Sequence, residues 1–281
     1  MVQRAIDRLQ TRGCRVKCLY DPAEICQRFG ASDERRAEQL HAAARDPEVE
    51  IVLALRGGYG MSRLLPLLDI PMLARSGKCF VGHSDFTALQ MALLAHGATS
   101  YAGPMVCSDF GSEVVSDFTM QHFWNCLSRT AYEVGVEVQG NPPLSVTGPL
   151  WGGNLSMLCH LLGTPYFPQV EQGILFVEDI NEHPYRVERL LLQLQYAGVL
   201  DKQQVLILGD FSGYRLTPYD NGYDFDVMVA YLRERLSIPV ITGLPFGHIR
   251  DKVTLPVGAQ ARLSSSSAQL LLSMAAARRL A

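Results

Sequence analysis

Four short apolar runs limit what this chain can fold into. Ile51-Val52-Leu53-Ala54-Leu55, Cys79-Phe80-Val81-Gly82, Gly173-Ile174-Leu175-Phe176-Val177 and Val205-Leu206-Ile207-Leu208 have strand length and no polar face, and each ends at a glycine or a charged residue. A strand apolar on both faces needs cover on both, the condition of a strand in a sheet flanked by helices. Helical segments lie around these runs. Val2, Ala5, Ile6 and Leu9 share one helical face before Gly13. Ser32-Asp33-Glu34 opens a capped helix that continues to Arg45, and further helical stretches read from Phe86 to Leu94, from about Val114 to Leu127, up to Leu162, and through Arg186 and Leu194 to Gly198. The alternation predicts an α/β fold.

The first half reads as a parallel-sheet α/β domain over 1–140, and Gly140-Asn141-Pro142-Pro143 marks a boundary. The second, over 145–281, reads as a mixed α/β domain with small strands at 254–256, 260–263 and 269–272, the serines 264–267 forming a turn and the last nine residues frayed. Tyr132 to Gln139 alternates apolar and polar residues as a half-exposed strand of the first domain. Arg15 to Leu19 reads as a short strand. The chain thus opens on a helix where a parallel sheet normally opens on a strand, so either an initial strand and its loop are missing or the first helix packs without one.

Net charge of −3 without a basic stretch excludes a nucleic-acid partner and points to a small substrate. No run of eighteen apolar residues is present and the amino end lacks the apolar core of a signal peptide, so no membrane contact is expected and the cytoplasm is the expected compartment. Seven cysteines without a C-x-x-C pair read as reduced thiols, with no metal and no cofactor.

The chemistry concentrates after the second apolar run. Gly82-His83-Ser84-Asp85-Phe86-Thr87 delivers Ser84 from a strand onto a helix start, where the first N–H groups lack helical partners and can hold an oxyanion. Arg56-Gly57-Gly58-Tyr59-Gly60 follows the first run, and its glycines allow close backbone approach to a ligand as a second oxyanion donor. Glu178 ends the third run. His248 closes the turn-rich segment Thr242-Gly243-Leu244-Pro245-Phe246-Gly247-His248. Serine, histidine and carboxylate can make a nucleophile, a base and its orienter in any chain order. Tyr214 to Asp226 is a tyrosine-rich loop suited to a site rim or a subunit contact. His83, His96, His160 and His183 have no motif partner and read as structural or exposed; Asp85 and Asp179 read as turn carboxylates, and Glu182 is a rival to Glu178.

With Leu150-Trp151-Gly152-Gly153-Asn154-Leu155 and Val177-Glu178-Asp179-Ile180-Asn181-Glu182-His183-Pro184-Tyr185-Arg186, these motifs resemble the LD-carboxypeptidases of the serine peptidase type, the muramoyltetrapeptide carboxypeptidases. The resemblance implies a flavodoxin- or amidotransferase-like first domain whose first strand is missing here, with a gap expected near Gly57-Gly58. It also implies a catalytic triad of Ser84 as nucleophile, His248 as base and Glu178 as orienting carboxylate, with the backbone N–H groups of Gly58 and Asp85 as oxyanion hole. Arg56, Trp151, Asn154 and Arg186 are the candidate substrate contacts. The implied reaction releases the terminal D-alanine from a muramoyl tetrapeptide at its meso-diaminopimelyl bond, in peptidoglycan recycling, by a homodimer. The alternatives are a peptidase of the same family that confers immunity to a peptidyl-nucleotide antibiotic, or an inactive binder of peptidoglycan fragments. A general esterase is disfavoured because position 86, where G-x-S-x-G has its second glycine, is phenylalanine.

Overall fold

The structure, a computed structural model, describes residues 1–275. Among them are eleven strands, β1 (Ile51–Leu53), β2 (Cys79–Gly82), β3 (Ser100–Ala102), β4 (Ala131–Glu137), β5 (Leu144–Asn154), β6 (Gly173–Glu178), β7 (Gln203–Leu208), β8 (Val240–Thr242), β9 (Leu255–Val257), β10 (Gln260–Ser265) and β11 (Gln269–Ala275). The helices are α1 (Val2–Thr11), α2 (Asp33–Arg45), α3 (Met61–Leu64), α4 (Ile70–Arg75), α5 (Thr87–Ala95), α6 (Asp117–Ser128), α7 (Leu155–Leu161), α8 (Pro184–Tyr196) and α9 (Phe225–Arg235).

The strands form two sheets. The first has the order β1-β2-β3-β9, with β1, β2 and β3 parallel and β9 antiparallel to β3. The second has the order β4-β11-β10-β5-β6-β7-β8. Its β4, β11, β10 and β5 pair antiparallel, whereas β5 through β8 pair parallel. Strand β5 takes part in both halves: Leu144–Pro149 lies against β10 and Leu150–Asn154 against β6. Every residue of β2 and β6 is buried, as their unbroken apolar runs require.

Helix α5 joins the two sheets, packing on β3 and on β5. Seven of its nine residues are buried, among them Leu89, Met91 and Leu93. The junction is tight at Gly153, whose φ of 143° suits glycine, and a Cβ there would lie 2.6 Å from Thr87 Oγ1. Beside it, the Asn154 N–H donates to Thr87 Oγ1 at 3.0 Å. The Trp-Gly-Gly-Asn motif is therefore the place where the second sheet leans on the helix of Ser84. Ser32, Asp69, Ser116, Asn154 and Asp224 each cap a helix by accepting a backbone N–H, as short polar side chains do at N-caps.

Several expectations are corrected. Residues 15–19 form no strand, and β1 stands at the sheet edge with β2 as its strand neighbour. The sheets do not divide at 140–143: β4 precedes that point yet pairs with β11, and β9 follows it yet pairs with β3. Strand β5 was not anticipated in its glycine-rich stretch; the glycines in its second half admit close neighbours instead of turning the chain. Helices α3, α4 and α9 were not anticipated; their short or weakly periodic sequences gave no clear signal. Ser264 and Ser265 finish β10, and 273–275 finish β11; the expected fraying of 276–281 lies outside the described residues. No described helix is long and apolar enough to cross a membrane.

Candidate active site

Ser84 sits where β2 turns into the helix, in a 3-10 turn over Ser84–Phe86 that leads into α5. Its φ is 62°, a left-handed conformation that costs a non-glycine residue about 1–3 kcal/mol. Such strain at a strand-to-helix turn is the geometry that pushes a serine hydroxyl out of the sheet edge. The loop after β1 presses on it: a Cβ at Gly57 would lie 2.7 Å from Ser84 Cβ and 3.0 Å from Ser84 Oγ. Only a glycine admits that approach. The loop is held from below by Asp85, whose carboxylate accepts the Met61 N–H at 2.6 Å; burial pushes the Asp85 carboxyl above its ordinary range. Gly57 of the loop and the elbow that carries Asp85 therefore border Ser84 from two elements.

Glu178 ends β6 and is fully buried. Its Oε2 lies 2.7 Å from His248 Nδ1, and its Oε1 accepts from Asn154 Nδ2 at 3.3 Å. Asn154 is the register partner of Glu178 on β5, so parallel pairing itself aligns the two side chains. Burial raises the Glu178 carboxyl above its ordinary value, against the hydrogen bond and charge of His248. Burial alone would depress His248, but the Glu178 hydrogen bond and charge outweigh it, and its imidazolium is held above the ordinary histidine range. A carboxylate on Nδ1 leaves Nε2 as the nitrogen free to exchange a proton with a substrate or a hydroxyl.

The two sheets meet at the histidines. The ring of His83, the residue before Ser84, lies edge-on to His248 with centroids 5.2 Å apart. His83 Nδ1 is 2.9 Å from the Gly103 carbonyl, which can only accept, so this nitrogen carries the proton. Burial, reinforced by the charge of Lys252, depresses His83 to about 4. It is neutral near pH 7.

The other predicted site residues separate into three groups. Arg56 is exposed in the glycine loop, its Nε on the Gly57 carbonyl at 3.2 Å, and Arg186 is exposed at the start of α8, 3.7 Å from Glu182. Both arginines follow the carboxyl ends of strands, where open sheets place their sites. Asn154 is buried and spends its amide on Glu178 and on Asp179 Oδ1, at 2.9 Å, so it positions carboxylates. Trp151 is corrected: it is 1% exposed, and its Nε1 donates to Gln203 Oε1 at 2.9 Å, which places it in the core. Glu182 is no rival for the histidine, since its partner is Arg186. Asp179 accepts from Ser156 N and Oγ and from Ile180 N, the satisfied turn carboxylate that was expected. Sequence reasoning missed the contact of His83 with His248, because nothing in a linear motif tells a buried imidazole from an exposed one.

Comparison with known proteins identifies the family of this fold. The LD-carboxypeptidase N-terminal domain matches residues 1–103, and the LD-carboxypeptidase C-terminal domain matches residues 147–263. A Bacillus subtilis protein named "Probable murein peptide carboxypeptidase" is 30% identical over 241 residues, 84% of this chain and 75% of that one. The crystal structure of muramoyltetrapeptide carboxypeptidase from Oxalobacter formigenes superposes with a TM-score of 0.95 at 54% identity, covering 98% of this chain and 93% of the other. The microcin C7 self-immunity protein, at 22% identity and a TM-score of 0.86, shares the fold, covering all of this chain and 91% of its own. With both family domains matched in order, this chain belongs to the LD-carboxypeptidases, a family of serine peptidases.

Proposed function

We propose that Ser84, His248 and Glu178 act as nucleophile, general base and orienting carboxylate, and that the bond cleaved joins meso-diaminopimelate to the terminal D-alanine of a muramoyl tetrapeptide. The observation that carries the reading is the fully buried Glu178 carboxylate on His248 Nδ1, with that imidazole against the ring of His83, the residue before the left-handed Ser84. The likeness to the Oxalobacter muramoyltetrapeptide carboxypeptidase supports the substrate.

In this mechanism His248 Nε2 takes the Ser84 proton as Oγ adds to the scissile carbonyl. The oxyanion is met by the Gly58 and Asp85 N–H groups. Collapse of the tetrahedral intermediate expels the D-alanine amine, which receives the proton from His248, and leaves the tripeptide as an ester on Ser84. Water, deprotonated by His248, hydrolyses that ester. Arg56 and Arg186 are the groups proposed to meet the terminal carboxylate. Action on peptidoglycan fragments inside the cytoplasm, in a recycling role and as a homodimer, is part of the same reading.

The test is incubation of the purified protein with a diaminopimelate-containing muramoyl tetrapeptide, with release of D-alanine followed by mass spectrometry. Release by the native protein and its loss in Ser84→Ala is expected. No release by the native protein overturns the substrate, and undiminished release by the variant overturns the nucleophile.

A further inference from the structure

The triad is split between the two sheets. Ser84 belongs to the first, Glu178 to the second, and His248 lies on a loop after β8 that has to present its ring to both. Glu178 orients the imidazole but says nothing about its register against Ser84. The four residues after His248 carry that information.

Val253 N–H closes the loop on the Pro245 carbonyl at 2.9 Å. Between these points the chain is tied to the element that leads into α6 and to the π-turn Val106–Phe110, which follows β3 of the first sheet. Thr119 Oγ1 donates to the Arg250 carbonyl at 2.8 Å and accepts the Lys252 N–H at 2.9 Å. Ser116 Oγ donates to Asp251 Oδ1 at 2.5 Å. The Lys252 ammonium forms an ion pair with Asp109 Oδ1 in the interior, the two side chains being 3% and 4% exposed. The second oxygen of Asp109 accepts from Met105 N and Ser108 Oγ, both at 2.8 Å, so the carboxylate is fixed in the first sheet's own turn.

We propose that the Lys252–Asp109 pair is a positioning device for the general base, clamping the His248 loop to the first sheet where Ser84 sits. The proposal rests on the triad reading and adds residues to it. An ion pair this deeply buried is an expensive way to join two loops if apolar contact would serve. Its place matters more than its strength, since Lys252 stands four residues from the histidine.

The pair also bears on titration. Glu178 and His83 touch His248, and Asp179 and Lys252 act on it by charge; Lys252, Asp109 and His248 act by charge on His83. Lys252 opposes protonation of both rings. With His83 held neutral, the ring edge-on to the base presents no competing charge, and of this pair His248 alone is biased toward its charged form.

The experiment compares the native enzyme, Lys252→Arg, and the charge-free pair Asp109→Asn/Lys252→Met, which leaves no lone buried charge. D-alanine release by the native enzyme is the control that separates failure here from failure of the triad reading. In the folded double variant kcat falls by on the order of 10–100-fold with KM little changed, as for a misplaced catalytic group. The acid limb of kcat/KM moves to higher pH, because Lys252 no longer opposes protonation of His248, and Lys252→Arg keeps the limb in place. A folded double variant with native kcat and an unmoved limb overturns the proposal, as does a loss confined to thermal stability. Independently of any variant, a histidine 15N titration of the native protein is expected to keep His83 neutral and Nδ1-protonated through pH 6 while His248 titrates; a charged His83 there overturns the electrostatic part.

Discussion

At the scale of the residue, the site depends on where each proton can go. His248 is held above the ordinary histidine range by Glu178 against the cost of its own burial. A base must be neutral to accept the serine proton, so kcat/KM should rise with pH through a limb above 6.5, the ordinary histidine value. In Glu178→Gln the carboxylate charge is gone and burial remains, so that limb should move to lower pH. The rate should fall by on the order of 10⁴-fold, the loss seen when a triad carboxylate becomes an amide. A pH profile of both enzymes checks this, and an unmoved limb would mean that another group sets it. The residues of the proposed triad could be picked out in the sequence because Ser84 and Glu178 stand at the ends of apolar runs and His248 closes a turn-rich segment. The roles of Asn154 and Trp151 were not. Both occur in one motif, yet the strand alternation sends Trp151 into the core and Asn154 to the edge beside Glu178.

At the scale of the element, the elbow and the glycine loop act together. The φ of Ser84 and the closeness of Gly57 are two sides of one contact. Gly57→Ala would put a methyl within 2.7 Å of Ser84 Cβ, and either the loop or the elbow must shift. A displacement near 1 Å at a nucleophile costs on the order of 100-fold, so kcat/KM should drop by about that factor. The melting temperature should move far less, since the loop is half exposed. Native activity in Gly57→Ala would place the loop away from the serine. The loop's glycines could be read as permitting close approach, but not what they approach: Arg56–Gly60 and Ser84 are brought together by the parallel register of β1 and β2, with Val52 opposite Phe80.

At the scale of the whole molecule, the two sheets exchange strands. The first half contributes β4 to the second sheet, and the second half contributes β9 to the first. Residues 1–140 expressed alone would hold β4 without β11 and leave the β3 edge open where β9 pairs. The fragment should melt without a cooperative transition and should aggregate through its unpaired edges. A sharp thermal transition by circular dichroism at native temperature would show that the strand exchange is dispensable. The exchange has a functional side as well, because the segment that returns to the first sheet as β9 is the continuation of the loop of His248 and Lys252.

What the sequence by itself determined was local. Runs with no polar face could only be covered strands, capping residues set the helix starts, and a serine, a glutamate and a histidine at the ends of apolar segments limited the chemistry. The resemblance carried by their motifs named the family. What only the tertiary structure decided was pairing between distant segments: that β4 and β9 cross between sheets, that Asn154 meets Glu178 while Trp151 is enclosed, and that His83 and Lys252 stand around the base. The physical reason is that burial and capping depend on near neighbours in the chain. Strand partnership and the partner of a buried charge depend on which surfaces are left to be covered once the elements exist, and that is a property of the assembled fold.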